Sequence, residues 1–197
     1  ALAWTFYLLA RHPEVRERLE DEVDHVLGGR VPTVDVLPRL PYALQVIKES
    51  MRLYPPAYMV VRRATRDVSI GPYGVRKGEA VILDVIGMHR RADYFNDPMR
   101  FDPDRFQPEA EKAAVKHAYL PFGGGPRVCI GNHFALMEAQ IVLAHFAQHL
   151  RFDLAPGRED IETEPLITLR PKGGVQVLVR KRDRGAAGAI HASALLV

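Results

Sequence analysis

Apolar positions recur first at helical spacing and later at strand spacing. Ala1 to Ala10 is apolar around its whole circumference, as for a buried helix. Pro13 stands at a first helical position, and Val15, Leu19, Val23, Val26 and Leu27 follow at spacings of three and four. Gly28-Gly29 then stops this second, amphipathic helix. A third is predicted from about Pro41 to Leu53, with Leu44, Ile47 and Met51 on one stripe and Pro55-Pro56 ending it.

From Met59 to Asp84 the runs MVVRR, DVSI and AVILD alternate with the turn clusters GPYG and RKGE, which predicts a small sheet. Pro98, Pro103 and Pro108 then break up YFNDPMRFDPDRFQPE, which reads as an ordered meander with little regular structure. Ile130, Phe134, Met137, Ile141 and Ala144 mark a long amphipathic helix starting directly beyond Cys129. Leu166 to Leu169 and Val175 to Val179 flank PKGG as a predicted hairpin, and Arg182 to Val197, without a core pattern, reads as a frayed tail. The fold class is therefore mainly α with small β-sheets (α+β), in one domain over residues 1–181.

Composition narrows the function classes. The chain has 197 residues, 47% apolar and 26% charged, enough for one core and not a disordered composition. Its 27 Lys and Arg against 24 Asp and Glu leave +3, too small and too dispersed to argue for nucleic acid. The opening ALAWTFYLLA has neither the basic flank nor the cleavage site of a signal peptide and is too short to span a bilayer. One cysteine cannot make an internal disulfide, so the expected compartment is reducing, the cytoplasm.

That cysteine lies in FGGGPRVCIG, Phe122 to Gly131. Glycines at 123, 124 and 125 admit positive φ and close approach of a flat ligand, and Pro126 stiffens the exit. A cysteine at the start of a helix faces unpaired N–H groups, here those of Gly131 and Asn132, which favour the thiolate, the form that ligates metal. Arg127 suits a carboxylate, Gly131 leaves room for a macrocycle, and Phe122 can cover the sulfur. Taken singly, each piece favours a glycine-proline turn before a helix with a buried cysteine. Together they resemble the haem-binding signature of the cytochrome P450 family, F-x-x-G-x-R-x-C-x-G, at all five fixed positions. Chance alone would give such a match on the order of once in ten thousand chains of this length.

Two further motifs carry the same resemblance. Glu49 and Arg52 in KESMR, three apart on one helix face, are the chain's only E-x-x-R; alone such a pair is usually a solvated contact. FDPDRF, Phe101 to Phe106, matches the family's meander motif F-x-P-x-R-F and supplies Arg105. The order of the motifs is the family's, and the resemblance covers roughly Ala1 to Arg180. It implies the C-terminal part of the family's fold, from the end of the I helix onward, and a buried network of Glu49, Arg52 and Arg105 that locks the meander and the cysteine loop.

The resemblance also implies haem b as cofactor, with Cys129 as iron ligand and catalytic residue and Phe122, Gly123, Arg127 and Gly131 around it. Arg62 is the expected second propionate contact, with Arg63 as its neighbour. Ala57, Met59, Val60, Val61 and Ile167 match segments that line the family's substrate pocket, although each fits a core strand equally well. The implied reaction inserts one oxygen atom of O2 into an apolar substrate, fatty-acid-like from the GGGPR and RLYPPA segments. Electrons would come from a separate ferredoxin or flavin reductase. The family's distal A-G-x-x-T stretch has no counterpart here, and Thr5 is not assigned its role. Two rival classes stand beside this: a non-catalytic fragment, and a haem-binding module without turnover. His145 and His149, four apart, lack a third zinc ligand, His89 reads as structural, and no nucleotide-binding glycine motif occurs.

Overall fold

The computed structural model describes residues 1–182 and 193–196. Four helices make the core: α1 (Leu2–Arg11), α2 (Pro13–Leu27), α3 (Pro41–Leu53) and, later in the chain, a long helix over Asn132–His149. Pro13 and Pro41 both stand in the first turn of their helices, where a missing N–H costs nothing. Gly28 ends α2 in the left-handed conformation (φ 55°), its N–H returning to the Asp24 carbonyl at 2.9 Å. Leu8, Leu19, Val23, Val46, Ile47 and Leu143 are buried together where these helices meet. Each contributes roughly 1.5–3 kcal/mol over exposure. Among the described residues no helix is long and apolar enough to cross a membrane.

α3 departs from the simple stripe expected of it. Leu44 is only partly buried, while Gln45, Glu49, Ser50 and Arg52 are buried with the apolar residues. Neighbours surround the helix almost completely, and Glu49, Ser50 and Arg52 find partners inside.

Among the described residues the strands form four small antiparallel sheets, one of which sends Val177 into this core. β1 (Met59–Arg63) pairs with β4 (Ala80–Asp84), setting Val61 against Ile82 and Arg62 against Val81. β2 (Val68–Ile70) and β3 (Tyr73–Val75) form a separate hairpin, so the one expected sheet is two, and Tyr73-Gly74 of the expected turn are strand. Asp84 caps the short α4 (Val85–His89) by accepting the Gly87 N–H at 2.9 Å. The meander holds a 3-10 turn over Pro103–Phe106 and the short α5 (Pro108–Ala113), and the Asn132–His149 helix is α6.

Two expectations at the C-terminal end need correction. The segments flanking PKGG do not pair with each other: β6 (Thr163–Pro165) pairs with β7 (Leu169–Pro171), while β8 (Gln176–Lys181) pairs with β5 (Leu150–Leu154). Alternation identifies a strand but not its partner. Of the expected tail, Arg182 is held by Glu20 and Asp24 of α2, at 3.3 and 2.8 Å. Ser193–Leu196 is a further strand, β9, pairing with Gln176–Val179 of β8. An edge strand offers backbone donors and acceptors regardless of its neighbour's side chains, so a weak core pattern did not reveal this pairing. Residues 183–192 and 197 of that tail lie outside the described residues.

Candidate functional site

The loop before α6 is closed by its own backbone. The Gly123 N–H donates to the Leu120 carbonyl (3.1 Å), Val128 to Gly125 (3.1 Å) and Cys129 to Phe122 (3.0 Å). Gly123 and Gly125 hold φ of 73° and 69°, a region that L side chains avoid, so these two glycines make the reversal possible. The outcome is an exposed Cys129, three residues ahead of α6. A Cβ placed on Gly131 would stand 3.9 Å from the Cys129 sulfur, so glycine there keeps the approach to the sulfur open. One local expectation fails: the Asn132 N–H donates to the Cys129 carbonyl at 3.4 Å, not to its sulfur. The turn into the helix spends that donor on the backbone before the sulfur can use it.

The surroundings of the thiol are apolar and open. Val128, Ile130 and Phe134 are exposed, Ile130 at 102%. The spacing predicts a core stripe starting at Ile130 and Phe134, but Ile130 lies before α6, whose apolar core face is Ala139, Leu143, Ala144 and Ala147. Phe122 is half-buried, packing against the core. Arg127 and Arg62 are both exposed, the Arg62 guanidinium donating only to the Val61 carbonyl (3.0 Å) and Arg63 to Gly78 (2.6 Å). None of these three arginines meets a carboxylate among the described residues.

Behind the loop lies the charged network that the motifs implied. Glu49 and Arg52 are completely buried and joined by two hydrogen bonds, Nε to Oε2 at 2.6 Å and Nη2 to Oε1 at 2.8 Å. Arg52 also donates to the carbonyls of His89 (2.7 Å), Pro98 (2.7 Å) and Arg100 (3.2 Å), and its guanidinium lies over the Phe95 ring. Glu49 accepts the Asp102 N–H at 2.9 Å, and Arg105 approaches the same carboxylate at 3.4 Å while donating to the Asp97 carbonyl at 2.8 Å. Burial pushes the Glu49 carboxyl above its ordinary range, with Arg52, the Asp102 N–H and Arg105 opposing it.

Two residues of this scaffold escaped the sequence reading as contacts to the loop. The His89 imidazole accepts the Leu120 N–H at 2.8 Å, and the Tyr119 hydroxyl donates to the Lys48 carbonyl at 2.9 Å. Burial drops the His89 pKa to about 4 and raises that of Tyr119 well above the usual phenol range. A single histidine and a single tyrosine carry no spacing signal, so nothing in the sequence distinguished them from ordinary core residues.

The two segments expected to line a substrate pocket come together. The Tyr58 hydroxyl donates to the Leu166 carbonyl (3.0 Å), and the Leu169 N–H to the Pro56 carbonyl (3.0 Å). Ala57, Met59, Val61 and Ile167 are exposed, Ile167 at 99%, and Val60 is half-buried. Among the described residues no cluster of three metal-ligating side chains occurs, although the His145 and His149 rings lie 4.9 Å apart. Thr5 is buried, its hydroxyl donating to that of Ser50 at 2.9 Å.

Comparison with known proteins accords with this geometry. The sequence profile of the cytochrome P450 family matches residues 1–179, and the chain belongs to that family. It is 41% identical over 182 residues to cytochrome P450 132 of Mycobacterium tuberculosis, covering 92% of this chain and 39% of that protein. Mouse leukotriene-B4 omega-hydroxylase 3 is 39% identical over 190 residues, covering 94% of this chain and 36% of the relative. The crystal structure of the heme domain of cytochrome P450DA superposes with a TM-score of 0.86 at 35% identity, over 92% of this chain and 40% of that one. The chain thus spans less than half the length of these relatives.

Haem b is the cofactor of this family, and the residues present fit it. Cys129 is an exposed thiol on a loop closed by its own backbone bonds, Gly131 leaves its sulfur open, and exposed apolar side chains adjoin it. Arg127 and Arg62 are cations without carboxylate partners in the described residues, as propionate contacts require.

Proposed function

We propose that this chain supplies the proximal, cysteine-bearing side of a haem-thiolate monooxygenase that hydroxylates an apolar, fatty-acid-like substrate. The observation that carries the reading is the exposed Cys129 sulfur on a backbone-locked loop, backed by a fully buried Glu49–Arg52 pair. Haem held by a thiolate would supply oxygen activation, in which two electrons and two protons convert RH and O2 to ROH and water.

The chain's own residues have simpler tasks. Cys129 holds the iron, and Arg127 and Arg62 hold the propionates. Phe122, Gly123 and Gly131 shape the loop around the sulfur. Glu49, Arg52 and Arg105 keep meander and loop together. Ala57, Met59, Val60, Val61 and Ile167 offer the substrate an apolar surface that excludes water. The name of the mouse leukotriene hydroxylase supports a lipid-like substrate. An exposed thiol that must stay reduced fits the cytoplasm, and electrons come from a separate ferredoxin or flavin reductase.

The test is the spectrum of the haem-reconstituted chain, reduced under carbon monoxide. A thiolate-type Soret band that disappears in Cys129→Ser is expected; haem uptake with the same band in both proteins would overturn the assignment. A second reading, a haem-binding module without turnover, uses the same Cys129 site. Binding with the thiolate band but no product, given reductase and fatty acids, would support it.

A further inference from the structure

His89 is fully buried and bound at both its ends. Its carbonyl accepts from Arg52 Nη1 at 2.7 Å, and its ring nitrogen Nε2 accepts the Leu120 N–H at 2.8 Å. A nitrogen that accepts carries no proton, so the ring is neutral with its hydrogen on Nδ1. The ring also stacks on Tyr119, centroids 5.2 Å apart, and Tyr119 packs in turn on Phe106 of the meander.

Leu120 is where the cysteine loop begins. Its carbonyl accepts the Gly123 N–H, and its side chain lies 3.3 Å from where a Gly124 Cβ would be, so its position sets the first turn of the loop. Tyr119 just before it is moored to the Lys48 carbonyl on α3. Pro121 just after it has no N–H to offer. Within the loop stem, the Leu120 N–H is thus the donor that meets a side chain rather than the backbone.

We infer that His89 is a positioning residue for the cysteine loop: its ring, suspended from Arg52 through its own carbonyl, holds the Leu120 amide and so sets where Cys129 is presented. The path from the buried ion pair to the sulfur therefore runs through one imidazole acceptor. The inference rests on the proposed role of Cys129 for its consequence, but not for the contact itself.

Side-chain lengths provide the test. A glutamine carries its amide oxygen as many bonds from Cα as histidine carries Nε2, whereas asparagine's oxygen stands only where Nδ1 does. Amide hydrogen exchange of Leu120 is measured by NMR on the apo form of the full chain, and the thiolate-type ferrous-carbonyl band on the haem-loaded form. In His89→Asn, Leu120 exchange should rise by about tenfold, as loss of one buried hydrogen bond implies, with α3 amides unchanged. The thiolate band should weaken with it, and His89→Gln should restore both. Unchanged Leu120 exchange in His89→Asn, or a glutamine variant no better than the asparagine one, would overturn the inference. Should α3 amides also lose protection in His89→Asn, the comparison of His89→Gln with wild type decides it. Absence of the band from wild type would overturn the haem reading, whereas the apo exchange data judge His89 separately.

Discussion

Arg52 and Glu49 share a two-pronged ion pair from which solvent is wholly excluded, and Arg52 then reaches three backbone carbonyls spread over residues 89 to 100. The pair is therefore a clamp on the chain entering the meander rather than a helix-surface contact. Its Coulomb attraction and hydrogen bonds oppose the desolvation of both charges, and for Glu49 burial still outweighs them.

Removing one partner strands the other. Arg52→Ala should leave the buried Glu49 carboxylate with Arg105 as its one cation within 4 Å among the described residues, and three carbonyls without that donor, at roughly 3–5 kcal/mol. Urea unfolding of the apo protein reads that loss, and haem content after reconstitution should fall to background. Normal haem occupancy in the variant would show that the clamp does not support the loop.

His89 makes stability depend on pH. Its native pKa of about 4 lies below the ordinary value of 6.5, so between these limits the unfolded chain binds a proton that the native chain does not. Stability contributed here is complete above about pH 6.5 and declines as pH falls toward 4, by on the order of 3 kcal/mol in all. Arg52, Arg90 and Tyr119 adjoin the ring, with Glu49 behind Arg52; burial is the largest cause and the two arginines add to it. Unfolding free energies at pH 7, 5.5 and 4.5 for wild type and His89→Gln should diverge in slope across that window. Parallel curves would remove the imidazole from the explanation.

Cys129 separates ligand from filler. Because the thiol is exposed, Cys129→Ser should change unfolding free energy by no more than about 0.5 kcal/mol. It should nevertheless abolish the thiolate-type spectrum. A large loss of apo stability would point instead to a packing role.

Gly87 tests the cap of α4. A Cβ there would lie 2.0 Å from Asp84 Oδ2, so Gly87→Ala must break the bond that starts the helix carrying His89. The cost should be about 1–2 kcal/mol by thermal melting. Gly74→Ala, where a Cβ meets nothing within 4 Å, should be close to neutral beside it.

Much of the architecture was legible in the sequence because it is set locally. Proline at a first turn, glycine in the left-handed conformation and periods of three and four place α2 and α3, and both helices have those bounds in the structure. The motif around Cys129 identified the family, since five fixed positions specify a loop whose backbone bonds from Gly123, Val128 and Cys129 stay between Leu120 and Cys129. Long-range pairing was not legible. That β8 joins β5 and β9, and not the strand before PKGG, depends on which edges meet in space. For the same reason Ile130 and Phe134 read as core: their spacing is that of a buried stripe, but Ile130 lies before α6 and the fold leaves both exposed near the thiol.

For the cysteine loop, the sequence alone determined which residue presents the sulfur and which cations are available to flank it, because those are properties of residue type and spacing. Only the tertiary structure decided how the Glu49–Arg52 network reaches the loop. The contacts from Arg52 to His89, His89 to Leu120 and Tyr119 to Lys48 bridge 37, 31 and 71 residues. Hydrogen bonds across such separations form when packing brings single groups together, and no local pattern along the chain encodes them.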